Sequence, residues 1–135
     1  MRIYRTITDR KIRMALVGCG RISGNHFGAM EQHAEHVEIA DVCDVDGRAL
    51  ERAVQRTGAK GHSSLTEMLA TSAADLVVLA TPSGLHPEQT IEIALSGRHV
   101  MTEKPMATHW HDGLRMVKAC DDAGVRLFVV KQNRR

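Results

Sequence analysis

Residues Met14 to Ser23 read Met-Ala-Leu-Val-Gly-Cys-Gly-Arg-Ile-Ser. The apolar run Met14 to Val17 has the length and type of a buried strand. Gly18 and Gly20 cut it, and Ile22, Phe27 and Met30 then recur at helical spacing. Strand, glycine turn and helix in that order give each small residue a task. Glycine at the first position permits the tight turn, and glycine at the second removes a side chain that would keep a pyrophosphate from the backbone. A small third residue, here Ser23, lets the helix pack closely on the strand. The helix would point its free amide groups and positive dipole end at a diphosphate. Glycines also punctuate ordinary strand-helix turns, so a second acid has to separate the two readings. The dinucleotide fingerprint asks for an Asp or Glu about 20 residues further on, at the end of the next strand. Val37 to Val42 reads as that strand, and Asp44 closes it at about that distance. A carboxylate there accepts hydrogen bonds from a ribose and repels a 2′-phosphate, which favours NAD over NADP. Arg21 and Arg48 soften the preference. The alternative for Asp44 is a strand-end turn residue, and Asp46 reads as a helix N-cap.

At 135 residues the chain is one domain's worth. Hydrophobic residues at 43% and charged residues at 25% fit a soluble globular class. A net charge of +2 and an aromatic content of 3% argue against nucleic acid and anionic membrane as partners. No apolar stretch approaches the roughly 18 residues of a membrane span. Met1 to Lys11 lacks the apolar core of a secretory signal, so the expected location is the cytoplasm. Cys19, Cys43 and Cys120 are odd in number without Cys-x-x-Cys spacing, which indicates neither a disulfide framework nor a zinc site. His109 and His111 flank Trp110 at a helix start with no third ligand evident, and read as a surface pair.

Residues 1–10 show no firm periodicity and read as a loose leader. After the second strand, Val37 to Cys43, Asp46 caps a helix with Leu50, Ala53, Val54 and Thr57 on one face and Gly58 as its stop. A short third strand follows near Ala59 to His62, and Ser64 with Glu67 is a capping-box signature. Asp75 to Ala80 is continuous and aliphatic, as in a strand covered on both faces. Thr81-Pro82-Ser83-Gly84 ends it, and His86-Pro87-Glu88 opens a helix with Ile91, Ala94 and Leu95 inward and Gly97 at its end. His99 to Thr102 is a fifth strand leading into Glu103-Lys104-Pro105. A helix from Thr108, with Leu114 and Val117 inward, stops at Gly124, and Leu127 to Val130 is the sixth strand. This alternation predicts an α/β fold over 11–135: a doubly wound, mostly parallel Rossmann sheet of six strands in the order 3-2-1-4-5-6. A ligand then belongs at the carboxyl ends of the strands, where Gly18 to Ser23, Asp44, Thr81 to His86, Glu103 to Pro105 and Lys131 to Asn133 collect.

Gly18-Cys19-Gly20-Arg21-Ile22, Asp44, Thr81-Pro82 with His86 after them, and Glu103-Lys104-Pro105 together resemble the nucleotide-binding half of the glucose-fructose oxidoreductase, inositol dehydrogenase and rhizopine-catabolism (Gfo/Idh/MocA) family. The resemblance runs from about Lys11 to the end of the chain, and Glu-Lys-Pro is its most specific mark. Within the family, the ending Val-Lys-Gln-Asn-Arg is similar to that of the sugar-nucleotide 3-dehydrogenases. Those enzymes oxidise the 3-hydroxyl of UDP-N-acetylglucosaminuronic acid on the route to surface polysaccharides.

The resemblance implies NAD as cofactor, held by Gly18, Gly20, Arg21, Ile22, Ser23, Asp44, Thr81, Pro82, His86, Glu103, Lys104 and Gln132. Thr81 and Pro82 would shape the wall beside the diphosphate and nicotinamide ribose, and Glu103 would accept from a ribose hydroxyl. Lys104 would be catalytic, donating to the substrate hydroxyl and stabilising negative charge on its oxygen as hydride leaves the carbon. The residue type alone also fits a solvated lysine, and His86 also fits a residue of its helix's first turn. Lys131 to Asn133 would line the nicotinamide side. The resemblance further implies a second, substrate-binding domain, absent from these 135 residues, that supplies the proton-transfer residues. The chain by itself is accordingly expected to bind dinucleotide without turnover. The full-length protein would be a homo-oligomer acting on a sugar or sugar nucleotide. A dehydrogenase of another polyol such as inositol, or a dinucleotide-sensing module without catalysis, are the alternatives.

Overall fold

The computed structural model describes Tyr4 and residues 6–131. Its strands are β1 (Ile12–Val17), β2 (Val37–Cys43), β3 (Lys60–His62), β4 (Leu76–Leu79), β5 (His99–Thr102) and β6 (Leu127–Val129). The helices between them are α1 (Ser23–Gln32), α2 (Gly47–Thr57), α3 (Leu65–Thr71), α4 (His86–Leu95) and α5 (Trp110–Ala123). All neighbouring strands pair in parallel. Their order, β3-β2-β1-β4-β5-β6, is the one expected from the alternation of elements. The order reverses between β1 and β4, and in such sheets the crevice outside the carboxyl ends at that reversal is where ligands bind.

The apolar strands are covered on both sides. Met14 and Leu16 of β1 and Val78 of β4 face one core with Phe27 and Met30 of α1 and Ala49 and Ala53 of α2. Ala15, Val17, Val77 and Leu79 face the other, with Met68 of α3, Ile93 and Ala94 of α4 and Cys120 of α5. This alternation of successive side chains is what an unbroken aliphatic strand provides when both of its faces are packed.

Local signals set the helix ends. Asp46 accepts from the Arg48 and Ala49 amides, and Gly58 ends α2 in the left-handed region at φ 70°. Ser64 accepts from the Glu67 amide at the start of α3. The edge strand β3 is only three residues long and is fastened by a buried polar group. Asp41 of β2, brought inward where the β1–β2 register shifts between Met14 and Ala15, accepts from His62 Nε2 at 2.7 Å and from the Ser72 hydroxyl.

Two expectations need correction. Leu95 of α4 is 78% exposed, and the inner face is built by His86, Thr90, Ile93 and Ala94, so two polar residues stand where an apolar stripe was sought. Leu114 and Val117 of α5 are 50% and 51% exposed. That helix starts at Trp110, not Thr108, and buries Met116 and Cys120 in place of Leu114 and Val117. Before β1, two contacts of the described residues tie this stretch to the sheet end. Arg10 pairs both its terminal nitrogens with the two oxygens of Asp75, at 2.7 and 2.8 Å, and the Arg126 guanidinium lies 4.1 Å from the centre of the Tyr4 ring.

Candidate functional site

The two glycines of the opening turn sit in different surroundings. Gly18 has φ 92°, and a Cβ there would lie 2.7 Å from the backbone carbon and oxygen of Ala80, so the chain itself demands glycine where β1 leaves the sheet beside β4. A Cβ on Gly20 would meet nothing within 4 Å. No protein atom excludes a side chain there, and the space beside Gly20 is open. It belongs to a cavity of about 330 Å³ lined by Gly18, Gly20, Asp44, Val45, Thr81 and Pro82, among others.

Ser23 is buried, and both its amide and its hydroxyl donate to the Gly20 carbonyl, which closes the turn. Ile22 occupies the cap position of α1 without a side-chain cap, and no acid stands in that first turn. The first amides of α1 are therefore left without a side-chain acceptor, and the positive end of its dipole faces the turn. Arg21 is exposed beside them.

Asp44 is half-buried at the end of β2. One of its oxygens accepts from the Cys19 amide at 2.7 Å and the other from the Asp46 amide at 2.8 Å. The acid thus clamps the glycine turn from the neighbouring strand, and a carboxylate with two such bonds still has acceptor capacity for hydroxyls. Burial, with Asp44 second, pushes the Cys19 thiol up to about 12; burial likewise pushes Cys43 up to about 11. Both stay protonated at neutral pH, so neither is a nucleophile.

Across the crevice, the Thr81 hydroxyl hydrogen-bonds Gln89 Oε1 at 2.6 Å and Pro82 is exposed. His86 is 1% exposed. Its Nε2 lies 2.9 Å from the Thr81 carbonyl oxygen and its Nδ1 3.1 Å from that of Pro105. Both ring nitrogens thus lie against main-chain carbonyls, one of which the ring N–H can reach at a time, and His86 sits between the turn after β4 and the turn after β5 rather than facing the cavity. Glu103 accepts from His26 Nε2 at 2.7 Å through one oxygen and from the Lys104 amide at 3.3 Å through the other. Lys104 is exposed, and among the described residues its ammonium forms no ion pair.

The fold thus gathers Gly18, Gly20, Arg21, Ile22, Ser23, Asp44, Thr81, Pro82, Glu103 and Lys104 at the carboxyl ends of β1, β2, β4 and β5, with His86 beneath. Gln132 lies outside the described residues. Among the described residues no group of three or more His, Cys, Asp or Glu side chains forms a metal site. Sequence reasoning passed over His26 and Gln89. His26 left a trace, as a polar residue next to Phe27 on the otherwise inward face of α1.

The profile of the Gfo/Idh/MocA group, an oxidoreductase family with an NAD-binding Rossmann fold, matches residues 12–131. The chain belongs to this family. A WlbA dehydrogenase from Chromobacterium violaceum, solved in complex with NADH and UDP-GlcNAcA, is 67% identical; the match covers 100% of this chain and 39% of that one with a TM-score of 0.98. The WlbA dehydrogenase from Bordetella pertussis, also solved with NADH and UDP-GlcNAcA, is 65% identical over 96% of this chain and 37% of its own, at a TM-score of 0.94. D-apiose dehydrogenase from Paraburkholderia graminis is 34% identical over 92% of this chain and 33% of its own length. The chain therefore spans about a third of the length of the Gfo/Idh/MocA relatives it matches. Among the described residues no helix is long and apolar enough to cross a membrane.

Proposed function

We propose that this chain is the NAD-binding part of a sugar-nucleotide dehydrogenase that oxidises the 3-hydroxyl of UDP-N-acetylglucosaminuronic acid, on a route to surface polysaccharide. The observation that carries the cofactor half is the open space at Gly20, a position where the protein's own packing would tolerate a side chain and a diphosphate would not. The substrate is supported by the 65% and 67% identity to dehydrogenases solved with UDP-GlcNAcA and NADH.

In this reading the amides of Gly20, Arg21 and Ile22, at the uncapped start of α1, receive the diphosphate, while the Ser23 amide closes the turn on the Gly20 carbonyl. Asp44 accepts from the adenosine ribose while it holds the Cys19 amide, and this acid favours NAD over its 2′-phosphorylated form. Thr81 and Pro82 wall the crevice, and Glu103 offers a remaining lone pair to a ribose hydroxyl. Bound NAD supplies a hydride acceptor. Lys104, a cation with three donors and no carboxylate partner among the described residues, donates to the substrate hydroxyl oxygen and stabilises the negative charge that grows there. A dinucleotide sensor has no need of an unpaired cation at this end of the crevice.

Two measurements test the proposal. NADH titration followed by fluorescence is expected to show weaker binding in Asp44→Ala than in the parent protein, and equal affinity would remove the ribose role. The full-length protein is expected to reduce NAD in the presence of UDP-N-acetylglucosaminuronic acid, and binding of NADH without turnover on any sugar nucleotide would favour the sensing module instead.

A further inference from the structure

Lys104 stands in a turn whose two flanks are held by imidazoles from different helices. On one side, β5 runs into Glu103, whose amide donates to the Leu79 carbonyl of β4 at 3.0 Å. The Glu103 carboxylate bonds the Lys104 amide with one oxygen and His26 Nε2 of α1 with the other. The side chains of His26 and Glu103 are 13% and 16% exposed, so this contact is shielded from water. On the other side, the Pro105 carbonyl faces His86 Nδ1, and the opposite nitrogen of that ring faces the Thr81 carbonyl. A carbonyl is an acceptor only and a neutral imidazole carries one N–H, so the ring donates to one of these two carbonyls at a time and lies against both.

From this we infer that His26 and His86 are positioning residues for Lys104. The inference rests on the proposed role of Lys104; the resemblance gave His86 to the cofactor, whereas its ring lies against two main-chain carbonyls. The lysine stem is long and flexible, so the position of its ammonium depends on how firmly its backbone is held. A displacement of about 1 Å at a reacting group can cost on the order of 10²-fold in rate. His26 has a second consequence. By occupying one Glu103 oxygen, it keeps that carboxylate turned toward α1 and away from the adjacent Lys104 ammonium. Loss of the imidazole frees an acid next to the one cation the reaction uses. His26 and His86 also tie the Lys104 turn to α1, which opens at the glycine turn, and to Thr81 on the crevice wall. The cofactor-binding half and the reacting turn are thus joined through side chains.

The test uses the full-length protein and two kinds of readout. Hydrogen exchange of the 103–107 segment, measured without cofactor, is expected to rise severalfold in His26→Leu while the strands exchange as before. In turnover, His26→Leu is expected to lower kcat by about 10- to 100-fold with the NADH dissociation constant held within about twofold. His26→Gln, which keeps a donor toward Glu103, is expected to recover most of the rate. Because His86 is buried, His86→Gln serves as the second variant and is expected to loosen the same segment. Unchanged exchange at 103–107 in both single variants overturns the inference, as does a His26→Leu kcat within about twofold of the parent. If Lys104→Ala turns over undiminished, the catalytic reading fails by itself, and the exchange measurement still decides whether the imidazoles hold the turn.

Discussion

On the β1–β2 side of the crevice, main-chain amides meet one carboxylate. Asp44 takes the Cys19 and Asp46 amides, Ser23 closes on the Gly20 carbonyl, and Gly18 lies against the Ala80 backbone. On the β4–β5 side, histidine rings do the joining: His26 bonds the Glu103 carboxylate, and His86 lies between the Thr81 and Pro105 carbonyls. The first side is a rigid concavity of backbone donors, suited to a ligand whose recognised parts, diphosphate and ribose, are always the same. The second carries an exposed cation on a fastened turn, suited to placing one charge beside a reacting atom. Under the proposed function, the contrast separates recognition from chemistry within one sheet, and it can be broken at either side.

The largest expected effect is on the chemical side. Lys104→Ala in the full-length protein should lower kcat by about 10²- to 10³-fold, the range for losing a donor to a developing oxyanion, with NADH affinity nearly unchanged. A parallel loss of NADH binding would show that the two sides are not separable. On the recognition side, stability depends on the buried Asp41, which holds β3 through His62 and Ser72. Asp41→Ala should reduce unfolding free energy by about 3 kcal/mol, read as a lower urea midpoint, and the leucine-rich β4 should be less affected in hydrogen exchange than β3.

The smallest effect lies at the opposite end of the sheet, outside both sides of the crevice. The Arg10 guanidinium holds the Asp75 carboxyl below its ordinary value, which burial alone would raise. A carboxyl lowered in the folded state contributes stability that is present above its unfolded pKa, about 3.9, and is lost as pH falls through the folded value. Arg10→Ala should therefore melt slightly below the parent at pH 7, and the gap should close as the pH is taken below that range, with NADH binding unaltered throughout.

The sheet order and the glycine turn were legible because both are written in local signals. Apolar runs such as Leu76 to Leu79 have one use in a chain of this size, and Asp46 and Gly58 mark helix ends by their own backbone chemistry. The inner faces of α4 and α5 were harder. His86 and Thr90 are buried polar residues that break the apolar stripe, and α5 buries Met116 and Cys120 beside more hydrophobic residues that stay exposed. The site residues of the family motifs came together as expected, yet the partners that hold them did not announce themselves. His26 and Glu103 are brought together only by the packing of α1 near the end of β5, and a single sequence carries no mark of that contact. His86 stood out as a candidate for contact with the cofactor, whereas its ring lies under two turns.

Gly20 offers the most direct test of whether a diphosphate sits on the turn after β1. Gly20→Ala places a Cβ where no protein atom beyond its chain neighbours lies within 4 Å, so the parent and the variant should melt within about 2 °C of each other, a shift of under roughly 1 kcal/mol. NADH titrated into both should bind at least about tenfold more weakly to the variant, a difference of roughly 1.4 kcal/mol. Equal affinity at equal stability would contradict a dinucleotide at this turn.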